Sequence, residues 1–273
     1  MLHDSPVINV GGLDIDLSVV LMLIVTCMIV FLIARLATRN LSVENPGKMQ
    51  NFMEWVVEFV QGLISSTMDL KKGKPFLSLG TTLILFIFVG NMLGLPFNIV
   101  TEYNDASKAH IFGQEIVSVT EKIHAAQERH PGEEVEVGIS WWKSPTADPA
   151  VTMGLSAMVF VLVHFVGITR NTKGYFKHYL QPYIFFLPIN LIEQLSKLLT
   201  LGMRLFANIY AGEVLISVLI ALGSSGIIGG IVSIPLLMAW QGFSIFIGSI
   251  QAFVFTILTF VYISQVIETH EEH

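Results

Sequence analysis

Residues 183–222, YIFFLPINLIEQLSKLLTLGMRLFANIYAGEVLISVLIAL, and residues 231–267, IVSIPLLMAWQGFSIFIGSIQAFVFTILTFVYISQVI, are two apolar blocks of similar length. The stretch between them, 223–230, is rich in glycine and serine and predicts a turn. Each block, if helical, is roughly 55 Å long, whereas the hydrocarbon core of a bilayer is about 30 Å thick. A helix of that length fits only if it leans by about 55° from the membrane normal or if it is broken. The two blocks therefore predict a long, steeply tilted helical hairpin in a membrane.

Three shorter apolar runs outside the hairpin predict upright membrane-crossing helices at 17–36, 76–100 and 150–168. Apolar residues make up 53% of the 273 residues and charged residues only 13%, with a mean hydropathy of +0.67. Such a composition indicates that lipid, rather than water, is the main solvent. We expect an all-α integral membrane protein with about five crossings, organised as a single membrane domain over 1–273.

Residues 51–68, between the first two spans, have an amphipathic pattern. Apolar side chains recur there at three- and four-residue spacings, with Glu54, Glu58 and Gln61 among them. This pattern predicts a helix that lies in the membrane interface. The alternative is a helix that packs against the other spans and has no function of its own.

The charges that flank the spans are unevenly distributed. The loops after the first and third spans are basic, whereas acidic residues outnumber basic ones in the 101–143 loop. Cytoplasmic loops carry the excess of lysine and arginine. We therefore expect the N-terminus and the acidic 101–143 loop outside and the C-terminus in the cytoplasm. The first apolar run has no obvious cleavage site, and we interpret it as a retained helix.

Several functional classes lack their characteristic residues in this sequence. Cys27 is the only cysteine and lies in an apolar run, which excludes a disulfide framework and a cysteine metal site. No phosphate loop of the GxxxxGK[ST] type occurs, so we expect no ATP site in this chain. The charge distribution does not support a nucleic-acid-binding face. We expect neither a cofactor nor a bound metal.

Arg204 and Glu213 are the only formal charges between Leu198 and Val266. A charge at the centre of a membrane helix costs at least about 2.5–3.5 kcal/mol, so each of these two residues is a candidate functional residue. At about 100° per residue the two side chains lie on opposite faces of a helix, roughly 13 Å apart along its axis, and cannot pair with each other. We expect the counter-charge of Arg204 on another segment or another chain. The alternative is a snorkelling or internally paired arginine.

Further polar residues interrupt the apolar background of the hairpin. Asn208 lies one turn after the arginine on the same face, and Glu193 lies within about 20° of that face. In the second block, Ser244 and Gln251 share a face. Each residue alone is compatible with a hydrogen bond inside a helix bundle, but together they predict the lining of a polar path. Asp148, before the third span, is compatible with a helix cap or with a place at the mouth of that path.

Two motifs in the hairpin are distinctive: LGMRLFANIYAGE at 201–213 and IQAFVF at 250–255. They resemble the signature of the F-type ATP synthase a subunit. Three other motifs are similar to the Gram-positive bacterial form of that family: GKMQNFMEW at 47–55, NMLGLP at 91–96 and WWKSPTADP at 141–149. The resemblance covers nearly the whole chain.

This resemblance implies a stator subunit of the F0 sector, in the bacterial plasma membrane, that provides two proton half-channels. It implies that the tilted hairpin faces a rotating ring of c subunits, each with a membrane-embedded carboxylate. The other implied partners are subunit b of the peripheral stalk, the remaining ATP synthase subunits and membrane lipid. Such a subunit moves protons and leaves ATP chemistry to its partners.

The resemblance also implies roles for individual residues. Arg204 matches the essential arginine of the family, and Glu213 matches a proton-transfer carboxylate of the outer half-channel. Asn208 and Gln251 match polar partners close to the arginine. Asp148 matches a residue that lines the outer access.

Two residues fit the family pattern less closely. Glu193 falls near the inner half-channel. Ser244 departs from the pattern, because many relatives have a histidine at this position that works with the glutamate. A serine cannot take up a proton near neutral pH, so we expect Glu213 to act with water alone.

Two other functional classes compete with a rotary stator. A secondary transporter would use Arg204 to bind an anionic substrate, but it predicts internal repeats of broken helices, and we find no convincing repeat. A purely structural membrane scaffold is the third possibility. Within the rotary hypothesis the coupling ion stays open between proton and sodium.

Overall fold

A computed structural model of the chain describes residues 5–94, 100–103, 110–111, 114–129, 137–180 and 183–268. Within these ranges the chain is mainly helical, and five helices are long and apolar enough to cross a membrane. The five are Leu17–Thr38, Leu70–Leu93, Pro149–Arg170, Leu187–Gly223 and Ile227–Ile267. This result confirms the predicted all-α integral membrane fold.

The described part of the chain contains helices of four to 42 residues. They are α1 (Leu17–Thr38), α2 (Lys48–Thr67), α3 (Leu70–Gly73), α4 (Leu77–Leu93), α5 (Val117–Arg129), α6 (Pro149–Leu180), α7 (Leu187–Gly223) and α8 (Ile227–Glu268). Short 3₁₀ turns precede α4, α6 and α7, at Lys74–Phe76, Pro145–Ala147 and Ile184–Phe186. The short strands are β1 (Val7–Val10), β2 (Leu13–Asp16), β3 (Val100–Tyr103), β4 (His110–Ile111), β5 (Gln114–Glu115) and β6 (Val137–Ser140).

The last two helices form the long hairpin. α7 has 37 residues and α8 has 42, which correspond to lengths of about 55 and 63 Å. Both exceed the hydrocarbon thickness by a wide margin, and the steep tilt of the hairpin in the membrane stays a prediction. The turn is shorter than the predicted 223–230, because α8 already begins at Ile227. Gly226, with a φ of 137°, makes this early start possible.

One predicted helix end is wrong. The second span was expected to reach residue 100, but α4 ends at Leu93 and Val100 begins β3, while 95–99 lie outside the described residues. Gly94 and Pro96 follow the helix, and a proline disfavours helix at the residue before it. The third span was expected at 150–168; the membrane-crossing stretch of α6 is Pro149–Arg170, and the helix itself continues to Leu180. The apolar run therefore indicates the membrane-crossing stretch and not the end of the helix.

Close contacts at glycines bring the spans together. Gly80 of α4 lies against the fully buried ring of Phe260 in α8, and a Cβ at position 80 would lie 2.2 Å from that ring. Gly202 of α7 lies against α6, where a Cβ would lie 3.2 Å from the carbonyl oxygen of Thr152. Small residues at such crossings allow the close packing that stabilises membrane helix pairs. α4 and α6 thereby hold the hairpin.

α2 corresponds to the amphipathic segment predicted at 51–68. It contacts α1, α4 and α8, and Val60 and Ile64 on its inner face are fully buried. The outer face is exposed, and Trp55 has 63% of its surface accessible. Packing against the spans therefore explains the apolar residues on the inner face of α2. The position of α2 in the membrane interface stays a prediction.

A small module, made of β1, β2, β3, α5 and β6, stands at one end of the spans; we call it the outer module, after the side that the loop charges predict for it. β1 and β2 pair through a two-residue turn at Gly11 and Gly12, with φ of 62° and 90°, and β3 pairs with β6. α5 packs on β1 and β6. The buried residues of the module form their own apolar cluster: Ile116, Val119, Ile123, Val137 and Ile139. The predicted 101–143 loop thus contains a helix and short strands among its described residues.

Candidate functional site

Arg204 lies near the middle of α7 with its side chain on the exposed side of the helix. Two ion pairs are formed among the described residues, Lys143 with Asp16 and Lys197 with Glu193, and neither involves Arg204. Thr200 and Asn208, about one turn before and one turn after it, are also exposed, as is the neighbouring Met203, by 47%. The arginine therefore lies on a surface of α7 that this chain leaves largely uncovered.

Glu213 lies on the other side of α7, as the spacing from Arg204 predicts. Its side chain lines a cavity of about 200 Å³ enclosed by α4, α7, α8 and the segment before α6. The polar residues of the cavity wall are Asn91, Ser144, Asn208, Glu213 and Ser244. A cavity of this volume and polarity has room for several water molecules. The structure thus brings together three of the predicted residues, namely Asn208, Glu213 and Ser244.

Ser244 projects from α8 toward this cavity. Among the described residues its Oγ is the buried side-chain oxygen that has no protein hydrogen-bond partner. Gly212 faces it from α7, and a Cβ there would still lie 3.9 Å from the Ser244 Oγ. A buried hydroxyl without a partner is costly, so a water molecule in the adjoining cavity is its natural partner.

Asn91 and Ser144 belong to the cavity wall but were not among the predicted site residues. Asn91 is almost fully buried; its Nδ2 donates to the Gly248 carbonyl of α8 at 2.9 Å, and its Oδ1 accepts from the Thr146 hydroxyl at 2.6 Å. The Ser144 hydroxyl donates to the Gly90 carbonyl of α4 at 2.9 Å. Both residues occur in the motifs at 91–96 and 141–149. Their presence in family-like motifs was the available signal.

Glu213 faces the segment before α6, because Ser144 of that segment lines the same cavity. The neighbouring Lys143 carries a positive charge and donates to Asp16 at the start of α1. One side of the cavity is therefore formed by a segment that carries a positive charge.

Asp148 caps α6 and does not line the cavity. Its Oδ1 accepts from the backbone N–H of Ala150 at 2.7 Å, which is the N-cap interaction that its position before the helix favours. The side chain is half-buried. Of the two interpretations of this residue, the structure shows the capping contact directly.

Glu193 and Gln251 lie away from the cavity. Glu193 is exposed, with 59% of its side chain accessible, and pairs with Lys197 at 3.0 Å. Lys197 also donates to Gln265 of α8 at 3.2 Å and lies 5.8 Å from the centre of the Tyr262 ring. Gln251 is buried in α8. Lys197 was not among the predicted residues, because a lysine four residues after a glutamate on a helix is common in ordinary surface pairs.

Metal ligation has little support in the described part of the chain. No group of three or more histidine, cysteine, aspartate or glutamate side chains lies close enough there to hold a metal ion. The chemistry available to the cavity is that of one carboxylate, several hydroxyl and amide groups, and water. Such groups pass protons along hydrogen bonds.

Comparison with known proteins agrees with the motifs. The family model described as ATP synthase A chain matches residues 19–264. The chain is 47% identical to the ATP synthase subunit a of Priestia megaterium over 264 residues, which are 96% of this chain and 96% of that protein. It is 45% identical to the Bacillus subtilis protein of the same name and 46% identical to that of Staphylococcus carnosus, each over 97% of both chains.

Proposed function

Because this chain belongs to the ATP synthase A chain family and serves as subunit a of the F0 sector, we propose that its residues form two separate half-channels beside a rotating c-subunit ring. The outer half-channel is the cavity of Glu213. The inner one lies near Glu193. Arg204 separates the two.

The position of Arg204 carries this proposal. Its guanidinium group lies on an exposed surface of α7, and no described carboxylate of the chain pairs with it. A permanent cation at this depth needs an anionic partner. A carboxylate on a neighbouring ring subunit supplies that partner each time it passes. A substrate anion held inside a closed pocket would instead need an arginine that faces into the bundle.

On the outer side, a proton passes from water, by way of Asp148, to the cavity and reaches Glu213. Water held by the Ser244 and Asn208 side chains carries the proton across the cavity, in place of the histidine that many relatives have at position 244. Glu213 then transfers the proton to a ring carboxylate. The neutral carboxyl group turns into lipid, because the ionised form would be excluded from hydrocarbon.

On the inner side, the ring carboxylate approaches Arg204 after nearly a full rotation and releases its proton toward Glu193. Arginine stabilises the ionised carboxylate and cannot release a proton of its own, so it also blocks direct leakage between the half-channels. Asn208 and Gln251 assist as polar groups near the arginine. The membrane potential contributes about 2.3 kcal/mol per charge per 100 mV, and a sum over several protons drives ATP synthesis in partner subunits.

The orientation that we propose follows from the charges of the loops. The N-terminus and the outer module face outside, and the C-terminus faces the cytoplasm, because the basic segments after α1 and within the last turns of α6 belong inside. Subunit b of the peripheral stalk, which prevents the stator from rotating with the ring, is a further proposed partner.

The decisive experiment replaces Arg204 by alanine in the complete enzyme reconstituted into liposomes. We expect ATP-driven proton pumping to be abolished, while Arg39→Ala, which removes an exposed arginine beyond the end of α1, keeps most of the activity. Copurification of the c-subunit ring with both variants would show that the complex is assembled. Normal pumping by the Arg204→Ala enzyme would refute the proposed role. The comparisons do not favour the transporter alternative.

A further inference from the structure

The segment 141–147, between the outer module and α6, is fastened to the end of α4. The Trp142 indole N–H donates to the Leu93 carbonyl at 2.6 Å, and the Ser144 hydroxyl donates to the Gly90 carbonyl at 2.9 Å. Gly94 allows this close approach, since a Cβ there would lie 2.9 Å from the backbone nitrogen of Ser144. We call this segment the outer wall, because its residue Ser144 closes the cavity of Glu213.

Lys143 lies between the two fastened residues and points toward the N-terminal part of the chain. Its ammonium group donates to the Asp16 carboxylate at 2.5 Å and to the Ser5 hydroxyl at 2.6 Å. The side chains of Lys143 and Asp16 are only 19% and 17% accessible. Asp16 is itself fixed, because its other oxygen accepts from the backbone N–H and the hydroxyl of Ser18 in the first turn of α1.

Asp16 and Lys143 are 127 residues apart in sequence, and their pair joins the start of α1 to the outer wall. Burial raises the pKa of Asp16, but the charge and hydrogen bond of Lys143 outweigh this effect, so the pKa lies below its ordinary value of 3.8. Asp16 is therefore ionised at neutral pH, and the pair is a charged one.

We propose that Lys143 is a positioning residue, which through its ion pair with Asp16 holds the outer wall against α4 and so keeps Ser144 in place as part of the wall of the Glu213 cavity. The inference rests on the proposed role of Glu213 in proton transfer. It gives the motif at 141–149 a second function besides the capping of α6. Without the pair, we expect the outer wall to move away from α4 and the cavity to open.

A labelling experiment measures the closure of the cavity directly. In a Cys27→Ser background, Ser244→Cys introduces a thiol at the buried end of the cavity, and a membrane-impermeant methanethiosulfonate reagent is added on the side of the outer module. We expect Lys143→Met and Asp16→Asn each to speed labelling at position 244 by at least about tenfold, because an uncompensated, mostly buried charge destabilises its surroundings. Lys143→Arg keeps the slow rate.

Matched variants separate loss of the pair from general unfolding. Lys48→Met removes the exposed lysine at the first residue of α2 and leaves labelling at position 244 unchanged. A thiol introduced by Leu13→Cys in the outer module, where the side chain is 71% accessible, is labelled at the same rate in every background. The double exchange Asp16→Lys with Lys143→Asp restores slow labelling. Wild-type labelling rates in the Lys143→Met protein would overturn the inference.

Proton pumping links this device to function and separates its failure from that of the proposed function. We expect Lys143→Met and Asp16→Asn to lower ATP-driven pumping to a similar extent, and the double variant to be no worse than either, because both remove one interaction. If Arg204→Ala pumps normally in the same assay, the proposed function fails while the labelling result stands. If Lys143→Met leaves the labelling rate at position 244 unchanged while Arg204→Ala abolishes pumping, only the positioning role of Lys143 is refuted.

Discussion

Replacing Gly202 by alanine tests whether the contact between α6 and α7 sets the position of Arg204, two residues further along α7. A Cβ at position 202 would lie 2.7 Å from the Met153 sulfur, 3.2 Å from the Thr152 carbonyl oxygen and 3.3 Å from the Met153 Cα. Ordinary contacts between such atoms are about 3.5–4.0 Å. The sulfur can rotate away, but the two backbone atoms belong to α6. The helices must therefore separate by about half an ångström.

The expected cost follows from a comparison with Gly154. This glycine lies on α6, and a Cβ there would meet nothing within 4 Å. Glycine to alanine in a helix is favourable by about 0.5–1 kcal/mol in both variants, whereas overpacking costs about 1–3 kcal/mol in Gly202→Ala alone. The difference in unfolding free energy between the two variants isolates the packing effect, and we expect Gly202→Ala to be about 1–3 kcal/mol less stable than Gly154→Ala.

Thermal denaturation of the purified enzyme, followed by release of this subunit, measures the difference in stability, and ATP-driven pumping in liposomes measures its effect on function. We expect Gly154→Ala to match or exceed the wild type in both assays. Gly202→Ala should release at a lower temperature and pump more slowly, since misplacement of a functional group by about 1 Å can cost about 10²-fold in rate. Equal behaviour of the two variants would show that α6 does not position Arg204.

Three other substitutions test the outer region and the inner path. Asn91→Leu removes the acceptor of Thr146 and the donor to Gly248. Each buried group left unpaired costs about 1–3 kcal/mol, so this variant should be released from the enzyme at a lower temperature. An unchanged release temperature would contradict the hydrogen-bond network. Because the pKa of Asp16 is lowered, its ion pair contributes its full stability above pH 3.8 and loses it as the pH falls further. The difference in melting temperature between the wild type and Asp16→Asn should therefore be constant from pH 7 to about pH 4 and become smaller below that pH. Glu193→Gln removes an exposed pair worth only about 0.3–0.5 kcal/mol, so it should slow pumping without altering thermal stability, and unchanged pumping would exclude Glu193 from the inner path.

The membrane-crossing helices were the most predictable part of this fold. A long apolar run in lipid is stable as a helix, because every backbone N–H and C=O group must form its hydrogen bond within the segment. The lengths of the two final blocks also predicted a hairpin too long to stand upright. Helix ends were less predictable: the apolar composition continues after Leu93, although Gly94 and Pro96 already indicate the end of α4.

The outer module was not predicted, although part of its signal is present. Gly11 and Gly12 separate two short segments that pair as β1 and β2, and a glycine pair between such segments is typical of a tight hairpin. The apolar cluster of the module joins α5 to strand β6, and no periodic pattern in a short acidic segment indicates which strand pairs with which. The partner of Lys143 is unpredictable for the same reason, because Asp16 is distant in sequence.

Within the candidate site, helical spacing predicted the relative positions of residues on one helix but not the contacts between helices. The opposite faces of Arg204 and Glu213 follow from the helical repeat alone. The meeting of Glu213 with Ser244 and Asn91 depends on how α7, α8 and α4 cross, which is set by close contacts such as the one at Gly248, where a Cβ would lie 3.2 Å from the Cβ of Asn91. Contacts of that kind are determined by three-dimensional packing.

The different environments of α7 and α8 indicate that the two helices of the hairpin have different roles. α8 contributes Phe255, Phe260 and Ile263 to the central core, whereas few residues of α7 are buried. α7 contributes little to the core, and its Arg204 forms no ion pair with a described residue. A charge at membrane depth costs at least about 2.5–3.5 kcal/mol, so α7 is poorly explained by the stability of this chain alone. An acidic group of another chain against α7 would offset that cost. α8 thus serves as the scaffold of the hairpin, and the exposed side of α7 is the surface that we propose for the ring.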